Sequence, residues 1–275
     1  MSSFIDQRAV IEDGATIGND VTIGPFAVIG AGARIGDGCR IAPHAVIIGN
    51  TTIGARTRIH TGANIGDEPQ DLHYTGANSF TDIGEDCIIR EYVTIHRGVE
   101  EGSRTVVGNR VLLMAFSHLG HNCQIADDVV VANASLLAGR VEVGCHAFIS
   151  AQVMIHQFTR VGALAMIGGG NAITQDVPPF SMLQERVIQG INAVGLRRAG
   201  WDTQARDAIK EAIRLTCFCG LSRPNAIAAI RQTVPQLPQV LQFVQFLENT
   251  RRGITSGRTA APAAREGGNA ASPQA

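Results

Sequence analysis

The segment LLMAFSHLGHNC sets His118 and His121 three residues apart, with Gly120 between them and Asn122 directly after. A neutral imidazole, with an unperturbed pKa near ~6.5, can take a proton from an alcohol or amine as that group attacks an acyl carbonyl. His121 is the candidate base. On a coil of 18 residues, His121, Gly139 and Gln157 fall on one stripe, at successive steps of roughly 4.8 Å. The glycine leaves room between two polar groups, and its backbone N–H could face the oxyanion that forms on the carbonyl. No G-x-S-x-G elbow accompanies the histidines, which favours direct transfer over a covalent intermediate. Two rival readings use the same residues. His118 and His121 could be two ligands of a catalytic zinc, as in hydratases of the carbonic-anhydrase type built on six-residue repeats, although a third ligand is missing nearby. The other rival is a scaffold without catalysis.

The element that must position these side chains is a repeat. An aliphatic residue recurs every six positions from Ile5 through Ile11, Ile17, Ile23 and onward to Ile65, resumes at Ile83, Ile89 and Ile95, and runs again from Val107 to Ile173. Two residues before many of these stands a small one, as at Ala9, Ala15, Ala27, Ala33, Cys39, Ala45 and Ala63, and Gly often follows. Six matches neither the 3.6-residue helical turn nor the alternation of one long strand, so each hexad is a short strand plus a corner. Three hexads close a triangular coil, with large aliphatics on the axis and Gly or Asn at the corners. The fold class is mainly β: a parallel β-helix spanning 1–182, then a small α-helical C-terminal domain over 190–255.

The two gaps in the series, Gly66 to Asp82 and Arg97 to Arg104, keep the register and read as loops bulging from the coil, candidates for ligand contact. The pattern stops at Val177-Pro178-Pro179 because successive prolines lack the donors another coil needs. Helices are predicted from Asp202 or Thr203 to Gly220, from Pro224 to Gln232 and from Pro238 to Asn249. Residues 256–275, small and rich in Pro and Gly, read as a disordered tail.

Composition narrows the function. With 23 Lys and Arg against 24 Asp and Glu, the net charge of −1 argues against a generic nucleic-acid binder. The absence of an apolar run of about 18 residues argues against a transmembrane segment, and MSSFIDQRAV has no secretory pattern, so a cytoplasmic protein is expected. The six cysteines, scattered through regular sequence, read as buried free thiols. Residues 197–266 carry eleven basic and five acidic side chains, a basic end suited to docking an acidic protein or a phosphate-bearing ligand.

Taken in order, PQDLHY, VTIHRG, LLMAFSHLGHNC, LLAG, VMIHQF and QDVPPF resemble the UDP-N-acetylglucosamine acyltransferase family of lipid A biosynthesis, over about residues 4 to 255. The resemblance implies a left-handed coil and a homotrimer with active sites between subunits. It implies transfer of an R-3-hydroxyacyl group from acyl carrier protein to the 3-position of UDP-N-acetylglucosamine. No metal or cofactor is implied beyond the donor's phosphopantetheine thioester.

Carried over by position, His121 is the general base and the Gly139 N–H the oxyanion donor. Gln70 and Asp71 contact the sugar. His118 and Gln157 line the cleft, and His96 lies near the nucleotide. Asn192 and Arg198 meet the nucleotide or phosphopantetheine, and Gly169 stands where acyl length is measured, suggesting a longer chain. The basic helices fit the acidic carrier. The chain departs from the family pattern at His73, Asn122, Arg140, Gln184-Glu185 and Val194. Arg140 beside the sugar site would lower the pKa of a neighbouring imidazole. Neutral Asn122 leaves the base to be oriented by another acceptor or by its own weaker amide oxygen. A 3-amino sugar is the alternative acceptor.

Overall fold

An aliphatic at every sixth position can be buried only if the chain turns a corner between one such residue and the next. Most strands are accordingly two residues long, such as Val28–Ile29 and Arg34–Ile35. The structure, a computed structural model, describes residues 3–257 of the 275. Ile5 pairs with Ile23, Ile11 with Ile29 and Ile17 with Ile35, all in parallel. Stacked coils build three sheets: a first face of 11 strands beginning at Phe4–Ile5, a second of nine beginning at Val10–Ile11, and a third of eight beginning at Thr16–Ile17. The predicted parallel β-helix is present. Its core is one continuous column in which Ile29, Ile47, Ile65, Ile95 and Leu119 are fully buried, with Ala27, Ala33, Cys39, Ala45 and Ala63 where the wall is narrow. Each buried Ile or Leu contributes about 1.5–3 kcal/mol, and stacking makes the terms accumulate coil by coil.

The corners are in part as expected, with Gly38, Gly49, Gly62 and Asn122 at positive φ. Bulky residues share them: Phe26, Tyr92 and Phe116 adopt φ of 59°, 55° and 63°, a conformation that costs an L-residue roughly 1–2 kcal/mol. Hydrogen bonds between coils offset the cost: the Phe26, Tyr92 and Phe116 N–H groups donate to the carbonyls of Arg8, Thr61 and Glu91. Tyr92 also stacks on Phe116 with ring centroids 5.3 Å apart.

Both predicted loops leave the coil and are shorter than the gaps in the series. Strand Asn64–Asp67 runs into the first and Phe80–Ile83 starts before its end, leaving residues 68–79, while Arg104–Val107 bounds the second. Ile53 still pairs with Ile83, so the register survives the excursion.

The sheet also outlives the prolines. Pro178 and Pro179 occupy a corner, where a coil needs fewer donors, and strand Ser181–Gln184 then pairs with Met166–Ile167. The expected boundary at residue 182 therefore falls inside a strand, which turns back as an antiparallel hairpin through Val187–Ile191. Buried Phe180, its ring 4.8 Å from that of Trp201, closes the end of the column.

Four helices follow: α1 (Ala193–Arg198), α2 (Thr203–Cys217), α3 (Arg223–Thr233) and α4 (Pro238–Glu248). The Asp202 carboxylate accepts the Ala205 N–H at 2.7 Å and caps α2. Wholly buried Asp176 ties helices to coil, accepting from the Arg160 N–H at 2.9 Å and the Thr250 hydroxyl at 2.6 Å. Ser256 and Gly257, expected in the disordered tail, are held: the Ile188 N–H donates to the Ser256 carbonyl and Gly257 bridges to Ile188. Residues 258–275 lie outside the described residues. All six cysteines are free thiols, but Cys219 is exposed and Cys145 half-buried, against the expectation of six buried ones. Among the described residues no helix is long and apolar enough to cross a membrane.

Candidate active site

Because side chains alternate along each strand, the outward residues of the second face form a column. Thr94, His118, Leu136, Met154 and Ala172 are successive partners in its register. Where this face turns toward the third, His121, Gly139 and Gln157 stack as predicted, pinned by Arg140 N–H to the His121 carbonyl at 2.8 Å and Phe158 N–H to the Gly139 carbonyl at 3.1 Å. Column and corner together wall a cleft of about 490 Å³ lined by Gln70, His96, His118, His121, Gly139 and Gln157, with Leu136, Met154 and Ala172 as its apolar floor. Six of the residues singled out in the sequence thus meet in one place.

The space at Gly139 is put to a different use from the one expected. A Cβ there would lie 2.3 Å from His121 Nε2 and 2.5 Å from its Cε1. The imidazole itself lies over the glycine, so the missing side chain accommodates the ring before any ligand. Among the described residues no hydrogen-bond partner takes the Gly139 N–H. His121 Nδ1 is 2.8 Å from Asn122 Oδ1, which leaves Nε2 on the side of the loop that carries Asp71, whose Oδ2 is 3.9 Å away. Hydrogen bonds from the His73 N–H at 2.9 Å and its imidazole at 3.0 Å hold the Asp71 carboxyl below the usual carboxylate range.

Of the other histidines lining the cleft, His96, His118 and His156, the first two are neutral at pH 7. Burial, with His96 close by, brings His118 down to about 4, and its Nδ1 lies 2.7 Å from the Thr94 hydroxyl oxygen. His96 is only 6 % exposed and is lowered chiefly by its burial; its ring meets that of His118 edge-on, with centroids 5.0 Å apart. Its Nδ1 is buried and has no hydrogen-bond partner among the described residues.

Other sequence-predicted residues stand apart. Gly169 lies at the corner before strand Ala172–Ile173, outside the cleft wall. Asn192 caps α1, accepting the Gly195 N–H at 3.0 Å and donating to the Leu164 carbonyl at 2.9 Å, so both ends of its amide are engaged. Arg198 is exposed in the last turn of α1. Arg140 does not bear on the cleft as expected: its guanidinium is paired with Glu100 and lies 5.6 Å from the centroid of the Phe158 ring, so its charge is compensated. Glu100 was not singled out in the sequence, and nothing in its local spacing marks it. Its place emerges only when the second loop folds back beside Asn122. No three His, Cys, Asp or Glu side chains among the described residues converge as a metal-ligand set.

Similarity to known proteins coincides with this layout. A bacterial transferase hexapeptide model matches residues 2–31, 32–67 and 104–139, and a model of the second domain of UDP-N-acetylglucosamine O-acyltransferase matches 176–255. An acyl-[acyl-carrier-protein]–UDP-N-acetylglucosamine O-acyltransferase from Sinorhizobium fredii is 41% identical over 90% of this chain and 92% of its own. One from Alkalilimnicola ehrlichii is 41% identical over 91% and 98%. Among solved structures, the UDP-N-acetylglucosamine acyltransferase of Bacteroides fragilis superposes with a TM-score of 0.89 at 38% identity over 91% of this chain and 99% of that one. That of Francisella novicida gives 0.89 at 36% over 92% and 94%. A coil of opposite hand could not superpose at such scores, so the coil is left-handed, as the resemblance implied. These relatives lend no support to a hydratase or to a 3-amino acceptor. With two-fifths identity across nine-tenths of its length, the chain belongs to the UDP-N-acetylglucosamine O-acyltransferase family.

Proposed function

We propose that this chain transfers an R-3-hydroxyacyl group from acyl carrier protein to the 3-hydroxyl of UDP-N-acetylglucosamine, the first step of lipid A biosynthesis. The observation that carries the reading is the His121 imidazole, fixed at Nδ1 by Asn122 and laid over Gly139 in a cleft with an apolar floor. In this reading Nε2 takes the proton of the sugar hydroxyl as its oxygen attacks the thioester carbonyl. The Gly139 N–H donates to the resulting oxyanion. Collapse expels the thiolate, which recovers the proton from the imidazolium. Gln70 and Asp71 hold the sugar, His118 and Gln157 line its cleft, His96 lies near the nucleotide, and the floor of Leu136, Met154 and Ala172 suits an acyl chain.

Asn192, which caps α1, and Arg198, in its last turn, lie away from this cleft, so their contact with nucleotide or phosphopantetheine would come from a neighbouring copy in a homotrimer. Asn192 would act there through the loop it fixes, and Gly169 would bear on acyl length from the far edge of the second face. The setting is the cytoplasm, the acidic carrier protein docks on the basic helices, and no cofactor is required beyond the donor's phosphopantetheine thioester.

The test is acyl transfer measured with R-3-hydroxyacyl carrier protein and UDP-N-acetylglucosamine. His121→Ala should lower the rate by about 10²–10⁴-fold with an unchanged fold. An undiminished rate would remove His121 from the reaction.

A further inference from the structure

An amide orients a histidine only if its own direction is fixed. Asn122 can present to His121 Nδ1 either an oxygen, which requires the proton on Nδ1, or an NH₂, which requires it on Nε2. Two neighbours decide between them. The Val99 N–H donates to Asn122 Oδ1 at 3.1 Å, and Asn122 Nδ2 donates to Glu100 Oε2 at 3.3 Å. A backbone N–H cannot accept and a carboxylate cannot donate, so both demand the same orientation, with the oxygen toward His121. Glu100 is itself held. Arg140 donates to its Oε1, its backbone N–H donates to Ser103 Oγ at 3.0 Å, and Ser103 Oγ donates back to its carbonyl at 2.8 Å.

We propose that Glu100, through Asn122, is a positioning residue for the transfer reaction, keeping the His121 proton on Nδ1 and the Nε2 lone pair toward the cleft. This rests on the reading of His121 as the base. With the amide reversed, Nε2 would carry the proton and the imidazole could not take the one from the sugar hydroxyl. The structure thus supplies what a carboxylate at position 122 would give automatically, since a carboxylate presents an acceptor whichever way it turns. The other charged and titratable groups around His121 are Asp71 and, beyond it, His73, the neutral pair His96 and His118, His156 on the same cleft wall, and Arg140 behind Asn122. Arg140 matches the Glu100 charge, so the second loop brings a carboxylate within reach of Asn122 together with its counter-ion.

A double-substitution experiment separates positioning from simple support. Glu100→Ala should lower kcat by about 10-fold while KM for the UDP-sugar stays within about twofold. Adding Asn122→Asp to Glu100→Ala should restore most of kcat and move the acid limb of the pH–rate profile upward, because an adjacent anion raises the pKa of an imidazole. The same Asn122→Asp with Glu100 present sets two carboxylates side by side and should lower kcat, so its effect changes sign with residue 100. Unchanged kcat in Glu100→Ala, or an equal effect of Asn122→Asp in both backgrounds, overturns the proposal. Imidazole ¹⁵N shifts of His121 read the proton's position without turnover: on Nδ1 in the wild type, divided between the nitrogens in Glu100→Ala. If the wild type transfers no acyl group yet shows that redistribution, the function reading fails and the role of Glu100 stands. If the tautomer ignores Glu100 while transfer proceeds, the positioning role fails alone.

Discussion

The lower coils, from Phe4 to Ile65, and the upper coils, from Phe80 to Ile173, have the same interior and different surfaces. Ile29, Ile47 and Ile65 below are as fully buried as Ile95, Leu119 and Leu137 above. On the second face the outward column reads Val10, Val28, Val46 and Asn64 in the lower coils and Thr94, His118, Leu136, Met154 and Ala172 in the upper ones. The inward position is constrained because each aliphatic touches the coils above and below it. The outward position answers only to its neighbours on the surface, so chemistry can be added there without disturbing the column. What makes a site of the upper column is the loop at 68–79, which brings Gln70 to the cleft and Asp71 to His121. The loop at 97–103 brings Glu100 to Asn122 and so braces the corner from behind. Over the lower coils the first loop meets a different corner, where Gly32, Gly49 and Asn50 face Glu68, Tyr74 and Asn78, and no histidine joins them there.

Two glycines on the same corner stripe put this contrast to the test. Gly139 has no left-handed backbone to maintain, and the three atoms nearest to a methyl group there all belong to the His121 ring, the first at 2.3 Å. Gly139→Ala should therefore push the imidazole aside and cut acyl transfer by about 10²–10⁴-fold, while the melting temperature barely moves. Gly49, its counterpart lower down, has φ of +63° and a virtual Cβ 2.9 Å from the Gly66 carbonyl oxygen. Gly49→Ala should cost about 1–2 kcal/mol of stability, seen in thermal melts, and leave kcat unchanged. If the two variants behave alike, the division between structural coils and working coils is wrong.

The same division explains what could be read in the sequence. The inward series from Ile5 to Ile173 was legible because one packing environment repeats, and with it came the coil, its register and the stacking of His121, Gly139 and Gln157. Helices α2, α3 and α4 were legible from Asp202, Pro224 and Pro238, each within or beside a first turn. Hairpin Ser181–Ile191 and the six-residue α1 were not, because elements that close the end of a column are shaped by a single contact set, such as Phe180 against Trp201, with no repeat to betray it. In the cleft, His118, His121 and Gly139 stood out by spacing. Glu100 and the embrace of His121 over Gly139 depend on how a loop and a ring fold back, which no periodicity encodes.

The smallest expected effect is acid sensitivity confined to the upper coils. Val28 and Val46 cannot titrate, whereas His118, on the same face, sits at about 4 in the folded protein because it is buried beside His96. In the unfolded chain it returns toward the ordinary imidazole value of 6.5. Between those values the unfolded form binds a proton that the folded form does not, so stability rises with pH across the window. His118 thus contributes stability that is present above 6.5 and lost as pH falls toward 4. His96, lowered by burial, acts in the same direction. Carboxylates such as Asp71, held below their usual range, are lost mainly at still lower pH and do not obscure the effect. Melting temperature should fall by roughly 2–6 °C between pH 7 and pH 4.5, and His118→Gln, which keeps a polar group near Thr94 but cannot titrate there, should flatten that slope. An equally steep slope in His118→Gln would mean that the acid-labile groups lie elsewhere, and the upper face would then be no more sensitive to protons than the valine-lined face below it.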